Sequence, residues 1–216
     1  MTVPPYSSLM SSKLNGTPQS TGVMCTGLSI KKINTLVTAY QNKKAMILGF
    51  RTHWPTDFPE HLAGKPTYFQ EKIHECLLTY KEVEIERVDW GCFFGNNQLG
   101  KYIIGSKKPK IHTIRNDKGQ RWKVKIKIHF YINVRAKNMF QFAPIIPCVS
   151  TQKIEIKYKD DDGFPWAEPK VFIDDIWFTS LEALAQNDGF DSLADFFRWF
   201  NKDYQGKIIH FTNYKY

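Results

Sequence analysis

Basic side chains crowd into one stretch of this 216-residue chain. From Lys101 to Arg135 there are eleven lysines and arginines but one acid, Asp117. Such side chains bind phosphates and release condensed counterions, so a dense basic stretch is typical of a surface for nucleic acids or nucleotides. The alternative is a solvated strand face whose lysines only aid solubility. We predict that phosphate or base contacts are made by Lys107, Lys108, Arg115, Arg121, Trp122, Lys123, Lys125 and Lys127, with Trp122 as the stacking residue.

The opposite charge collects further along the chain. From Asp160 to Asp195 there are ten acids, and Lys170 is the one basic residue. The formal net charge of +9 therefore hides a polarised molecule. An acidic face indicates a different function class, a protein-interaction module that engages a basic partner.

Several other classes of protein are excluded by composition. The four cysteines and six histidines are scattered without the close spacing of a disulfide framework or a zinc site. We therefore expect no metal and no cofactor, and thiols of the kind found in a reducing cytosol. No apolar run reaches the roughly 18 residues that span a bilayer, so we expect no membrane association and a cytoplasmic location.

Hydrophobic periodicity predicts the strands. Apolar and polar residues alternate strictly from Lys123 to Arg135, which is the pattern of a strand with one buried face. Shorter apolar or alternating runs predict further strands at Met46–His53, Glu82–Asp89, Val149–Tyr158, Val171–Phe178 and Lys207–Thr212.

Capping patterns and apolar stripes predict three helices. The helix starts are indicated by Thr67 with Gln70, Thr179 with Glu182, and Ser192 with Asp195. The first helix carries an apolar face made of Phe69, Ile73, Cys76, Leu77 and Tyr80. The second should end near Asp188-Gly189, where glycine supplies a left-handed residue. The third carries a stripe of Leu193, Phe196, Phe197 and Phe200.

The chain divides into a leader and one domain. Residues 1–43 are rich in Ser and Thr and contain no acid, so we predict a flexible, disordered leader. Residues 44–216 have the apolar content of a single folded domain. Strands with helices between and after them, and little βαβ rhythm, favour an α+β domain around a small, partly closed barrel.

Three segments in order carry a resemblance to a known family. They are Lys108 to Arg115 (KPKIHTIR), Asn187 to Phe190 (NDGF) and Gly206 to Thr212 (GKIIHFT). Together they resemble the ASCH family, a branch of the PUA-like folds, which is marked by Lys, two residues, Thr, one residue and Arg, and later by an acidic-Gly-Phe element. The resemblance extends along most of the chain from Met46. It implies a small mixed β-barrel flanked by helices, with a cleft for a nucleotide, a modified base or RNA.

The resemblance also implies a catalytic set. Bacterial N(4)-acetylcytidine amidohydrolases of this family cleave an amide on the base with a Lys, a Thr and an acidic residue. The matching positions are Lys110, Thr113 and Asp188, and Arg115 would bind a phosphate or orient the substrate. Asp188 stands where the family commonly has the longer Glu. A threonine hydroxyl needs a neighbouring base, and a lysine is a base only when burial or nearby positive charge lowers its pKa.

These observations lead to one expectation and two alternatives. We expect an ASCH-type domain that binds RNA or a modified nucleoside in a basic, concave cleft, with Lys110 and Thr113 at its floor. The first alternative is an amidohydrolase that removes the acyl group from N(4)-acetylcytidine-like nucleosides through Lys110, Thr113 and Asp188. The second is the protein-interaction module. Similar architectures occur in phage-encoded proteins that interfere with host systems, so this alternative includes a phage-encoded protein.

Overall fold

Strands dominate the part of the chain that a computed structural model describes, residues 45–80 and 107–216. Helices are few, and the fold is a mixed α+β one, as expected. The elements in order are β1 (Ala45–Phe50), α1 (Phe69–Thr79), β2 (His112–Arg115), β3 (Lys127–Ile132), β4 (Phe140–Gln141), β5 (Ile146–Pro147), β6 (Ser150–Lys159), β7 (Pro165–Ile173), β8 (Ile176–Phe178), α2 (Leu181–Asn187), α3 (Leu193–Trp199) and β9 (Tyr204–His210). The predicted leader 1–43 and the predicted strand Glu82–Asp89 lie outside the described residues.

The described strands form two sheets. In the first, β1 runs parallel to β3, and β3 pairs antiparallel with β4 and β5. The second is antiparallel, with the strand order β2-β9-β6-β7-β8. Within the described ranges these sheets do not close into a barrel. No helix in the same ranges has the length and apolar composition needed to cross a bilayer.

The central strand of the first sheet is shorter than its sequence pattern predicts. The alternation is real, because Ile128 and Phe130 are completely buried in the core. However, Lys125 (φ 68°) and Asn133 (φ 53°) adopt the left-handed conformation, which ends the extended backbone on both sides. The prediction of one strand from Lys123 to Arg135 is therefore wrong at both ends, and Lys123 and Lys125 lie on a loop.

The run from Val171 to Phe178 is a hairpin and not the single strand that its sequence predicts. Asp174 (φ 50°) and Asp175 (φ 68°) form the two-residue turn between β7 and β8. Aspartate tolerates the left-handed conformation that such turns demand. The turn is also fixed from outside, since one Asp174 carboxylate oxygen accepts a hydrogen bond from the backbone N–H of Lys153 at 2.8 Å.

Helix α1 confirms the predicted buried face but not the predicted cap. Phe69, Ile73, Cys76 and Leu77 are buried. The residue that precedes the helix is Tyr68, in the left-handed conformation, and its side chain makes no capping hydrogen bond. The Thr67 hydroxyl donates to the carbonyl of Arg51 at 2.7 Å and accepts a hydrogen bond from the N–H of Phe69 at 3.4 Å, not from that of Gln70, so the predicted capping box is absent.

The two C-terminal helices mostly follow their sequence signals. Helix α2 ends as predicted, because Gly189 (φ 90°) lets the N–H groups of Gly189 and Phe190 bind the carbonyls of Gln186 and Ala185. Its start is one residue later than predicted, after Ser180, which makes no side-chain cap. Helix α3 confirms its prediction, since the Ser192 hydroxyl accepts a hydrogen bond from the Asp195 N–H at 3.1 Å.

Candidate functional site

The two motif segments meet where the chain enters β2 and leaves α2. The backbone N–H of Ile111 donates to the carbonyl of Asn187 at 3.0 Å, which fixes the two segments together. The Lys110 ammonium donates to the Asp188 carboxylate at 2.6 Å and also to the Asp188 carbonyl. The side chains of Lys110 and Asp188 are only 3% and 6% exposed. Two residues that lie 78 positions apart thus form one buried ion pair.

The turn after α2 holds Asp188 in this position. Its carboxylate accepts a further hydrogen bond from the backbone N–H of Ile114 at 3.2 Å. A Cβ atom at Gly189 would lie 3.0 Å from a side-chain carbon of Lys110 and 3.2 Å from the ring of Phe69. Glycine is therefore required both by the positive φ and by the close packing of Lys110 over the turn.

Burial dominates the electrostatics of the ion pair. It lowers the pKa of Lys110 to about 8, against the opposing effect of Asp188, while the charges of Arg115 and Lys72 add to the lowering. Burial also raises the pKa of Asp188, and the nearby Lys110 and Arg115 oppose this shift. The lysine therefore loses its proton more readily than an exposed lysine does, which is the property a general base needs.

Lys72 is a second buried lysine at this turn that the sequence did not single out. Its ammonium donates to the Gly189 carbonyl at 2.8 Å and to the Asp191 carboxylate at 2.7 Å. Its own carbonyl accepts the backbone N–H of Lys110 at 2.9 Å. The available signal was its position three residues after Phe69, inside the apolar stripe of α1, where a lysine is unexpected unless it has buried partners.

Thr113 lies close in sequence but is sealed from solvent. It sits in β2 opposite Ile209 of β9 and is 1% exposed. In the described part of the chain its hydroxyl forms no hydrogen bond with Lys110 or Asp188. The expectation that Lys110 and Thr113 form the floor of an open cleft is therefore wrong, because both residues are buried.

Arg115 links the two sheets. One guanidinium nitrogen donates to the carbonyl of Gly49 in β1 at 2.9 Å, and the group lies 5.0 Å from the centre of the Phe50 ring. Arg115 remains charged inside a protein, so it adds a fixed positive charge near Lys110 and Asp188. These contacts are structural, and the phosphate role of Arg115 stays a prediction.

The basic residues after β2 lie on a loop that one acid organises. The Asp117 carboxylate accepts the backbone N–H groups of Arg121 at 2.8 Å and Trp122 at 3.1 Å, and it pairs with the Lys207 ammonium at 3.1 Å. Trp122 is only 4% exposed, so its predicted stacking role is wrong and it belongs to the core. The exposed basic side chains of this loop are Lys118, Arg121, Lys123 and Lys125, of which Lys118 was not predicted.

The remaining predicted phosphate ligands lie elsewhere. The Lys107 ammonium is 4.0 Å from the centre of the Tyr68 ring, just before α1. The Lys108 ammonium donates to the side-chain carbonyl of Gln186 in α2 at 3.2 Å. Lys127 is half-buried in β3. The structure therefore divides the predicted set between the segment before β2, the end of β2, the loop 117–125 and β3.

Metal-ligating side chains do not cluster among the described residues. None of the groups of histidine, cysteine, aspartate and glutamate there could hold a metal ion. His112 and His210 face each other across β2 and β9 with ring centres 5.5 Å apart, and both are completely buried. Both side chains are part of the buried interior that the second sheet covers.

Comparisons with known proteins identify no relative of this chain. No model of a known protein family matches the chain. No curated protein and no solved structure matches it either.

Proposed function

We propose that this chain is an ASCH-type domain with a PUA-like core that binds RNA or a modified nucleoside. The observation that carries the proposal is the loop 117–125, which exposes Lys118, Arg121, Lys123 and Lys125. Its one acid, Asp117, is buried and is neutralised by two backbone N–H groups and by Lys207. The positive charge at the loop surface is therefore free to meet phosphate oxygens.

The proposed phosphate surface is tested by removing its charge. We expect the fourfold change of Lys118, Arg121, Lys123 and Lys125 to Gln to weaken binding of a labelled single-stranded RNA. For single strands, the slope of log K against log salt falls by roughly 0.7 for each phosphate that the protein no longer neutralises. Fluorescence anisotropy at several salt concentrations measures both effects.

A matched control removes the same charge from other exposed lysines. Lys65, Lys137, Lys159 and Lys202 are exposed and lie outside the loop. Changing these four to Gln lowers the net charge equally, so RNA affinity should fall much less than in the loop variant. Equal losses in the two variants would mean that the RNA responds to net charge alone, which contradicts a binding site on the loop.

A second candidate function is favoured by the buried Lys110–Asp188 pair. For this reaction the Lys110 nitrogen, whose pKa is lowered to about 8, must come within hydrogen-bond distance of the Thr113 hydroxyl and accept its proton as that oxygen attacks the amide carbonyl of an acylated cytidine. The C–N bond then breaks, the amine of the nucleoside takes the proton from Lys110, and water hydrolyses the acyl-threonine. Because Lys110 and Thr113 are buried, the substrate must displace a covering side chain.

Incubation with N(4)-acetylcytidine separates the two candidates. The hydrolase predicts release of cytidine by the wild-type chain and loss of that release in Thr113→Val, which keeps the shape of the side chain. RNA binding by the loop should persist in Thr113→Val. Absence of cytidine at every pH between about 7 and 9, the range around the lowered lysine pKa, would leave binding as the function of the domain.

A further inference from the structure

The β7–β8 hairpin exposes a set of large apolar side chains. Ile176 and Trp177, at the start of β8, are 72% and 62% exposed, and Phe164, in the turn just before β7, is 69% exposed. Trp177 lies directly opposite Phe172 in the pairing of the two strands, so both rings share the face of the second sheet that points away from the core residues Val171 and Ile173. Exposed apolar side chains gathered on an edge hairpin indicate a surface for a partner.

The exposed rings already hold a cation. The Lys170 ammonium lies 4.1 Å from the centre of the Trp166 ring and 5.9 Å from that of Trp177. On the same face the Lys157 ammonium lies 5.8 Å from the centre of the Phe172 ring. The two indoles thus offer their electron-rich faces to one positive charge, which is the arrangement by which aromatic sites bind ammonium and guanidinium groups.

Acids outnumber bases in the segment that carries these rings. Between Asp160 and Asp175 the chain has six acids and one basic residue, Lys170. Of these acids, Asp162 and Glu168 are exposed, and neither takes part in an ion pair with another described residue. A surface pocket of about 310 Å³ lies beside the β6–β7 turn, and its charged lining residues are Glu155, Lys157, Lys159, Asp160, Asp161 and Asp203.

We infer that the outer face of the β7–β8 hairpin docks a Lys- and Arg-rich segment of a protein partner. One cationic side chain of that segment replaces Lys170 between Trp166 and Trp177, and others pair with the acids around the rings. A nucleic acid is the other ligand that stacks on exposed aromatic rings, but its phosphates would be repelled by the same acids. The inference is independent of RNA binding by the loop 117–125.

Binding is measured with a fluorescently labelled octapeptide of alternating Lys and Arg, added to the full chain. We expect Trp177→Ala to weaken peptide binding roughly 3- to 30-fold, which is the range of a cation–π contact. Ile47→Ala removes another exposed apolar side chain, 51% exposed and on β1 of the first sheet, and should leave the affinity unchanged. No measurable peptide binding, or equal effects of the two variants, would overturn the inference.

Lys170→Gln distinguishes the two ligand classes by the sign of its effect. Because Lys170 occupies the place of the incoming cation, its removal should strengthen peptide binding. A single-stranded oligouridine bound at the same rings would lose the attraction of its phosphate to Lys170 and would therefore bind more weakly. Tighter RNA binding to wild type than to Trp177→Ala, with weaker RNA binding to Lys170→Gln, would overturn the inference in favour of a nucleic-acid surface. The fourfold loop variant should bind the peptide at least as tightly as wild type.

Discussion

At the scale of single residues, the Lys110–Asp188 pair shows why buried charged side chains occur as ion pairs. Each side chain alone would be an unpaired charge in the interior, which is far more costly than an apolar residue of the same size. The pair is further supported by the N–H of Ile114 and by Lys72, whose ammonium holds the next carbonyl, that of Gly189. Stability and any chemistry at Lys110 therefore depend on the same contacts.

This arrangement predicts strongly non-additive mutations. Asp188→Leu leaves the Lys110 ammonium buried without its partner and should lower the free energy of unfolding by about 3–5 kcal/mol. Lys110→Met combined with Asp188→Leu removes both charges and should lower it by less than Asp188→Leu alone. Urea unfolding at neutral pH measures both values. A double variant less stable than Asp188→Leu would show that the pair contributes by packing and not by charge compensation.

At the scale of elements, the end of α2 makes the pair possible. Gly189 lies in the left-handed conformation, and the site of its missing Cβ is occupied by Lys110 and Phe69. Gly163 has nearly the same φ, 89°, but nothing lies within 4 Å of its Cβ position. Gly163→Ala should therefore show the backbone strain alone, about 1 kcal/mol. Gly189→Ala should lower the free energy of unfolding by a further amount of about 1–3 kcal/mol, because the added methyl displaces its neighbours.

Thermal and urea unfolding of these two variants provide the measurement. Equal losses would mean that Lys110 and Phe69 move aside without strain, so the packing over the turn would not hold the ion pair. A larger loss in Gly189→Ala that disappears in the Lys110→Met background would identify the lysine stem as the group that is displaced.

Elements with one buried face and helix ends with a local cap were predictable from sequence, whereas the ends of β3 and the pairing of the strands were not. The apolar periodicity of α1 and the cap of α3 depend on neighbours within one or two turns, so local sequence reveals them. The ends of β3 are set by left-handed residues, and Lys125 is held there by a hydrogen bond from its N–H to the distant Cys148 carbonyl at 2.8 Å. Trp122 is likewise buried although no local pattern predicts it.

At the scale of the described domain, the second sheet carries a buried polar row. Ser150, His210 and His112 are paired in register across β6, β9 and β2. The ring of Tyr216 packs on both imidazoles, and its backbone binds the side chain of Gln152. The ring nitrogens of His210, the Nε2 atom of His112 and the Ser150 hydroxyl form no hydrogen bond with other described residues. Protonation of either imidazole would therefore place an unpartnered charge in the buried sheet and lower its stability.

Acid should accordingly destabilise the whole domain through this row. Burial, with help from Lys215 and against Asp174, lowers the pKa of His210 to about 4. Burial, with the charges of Lys110 and His210, also lowers the pKa of His112 well below its usual value. Between about pH 6.5 and 4 the unfolded chain binds more protons than the folded one, so stability falls as the pH falls, by about 3 kcal/mol for His210 alone. Between these pH values, the free energy of unfolding of His210→Phe, measured with urea, should fall by about 3 kcal/mol less than that of wild type. The free energy of unfolding of His53→Gln, at an exposed histidine, should fall as much as that of wild type. If the free energy of unfolding of His210→Phe fell with pH in parallel with that of wild type, protonation of His210 would not be a cause of the loss of stability in acid.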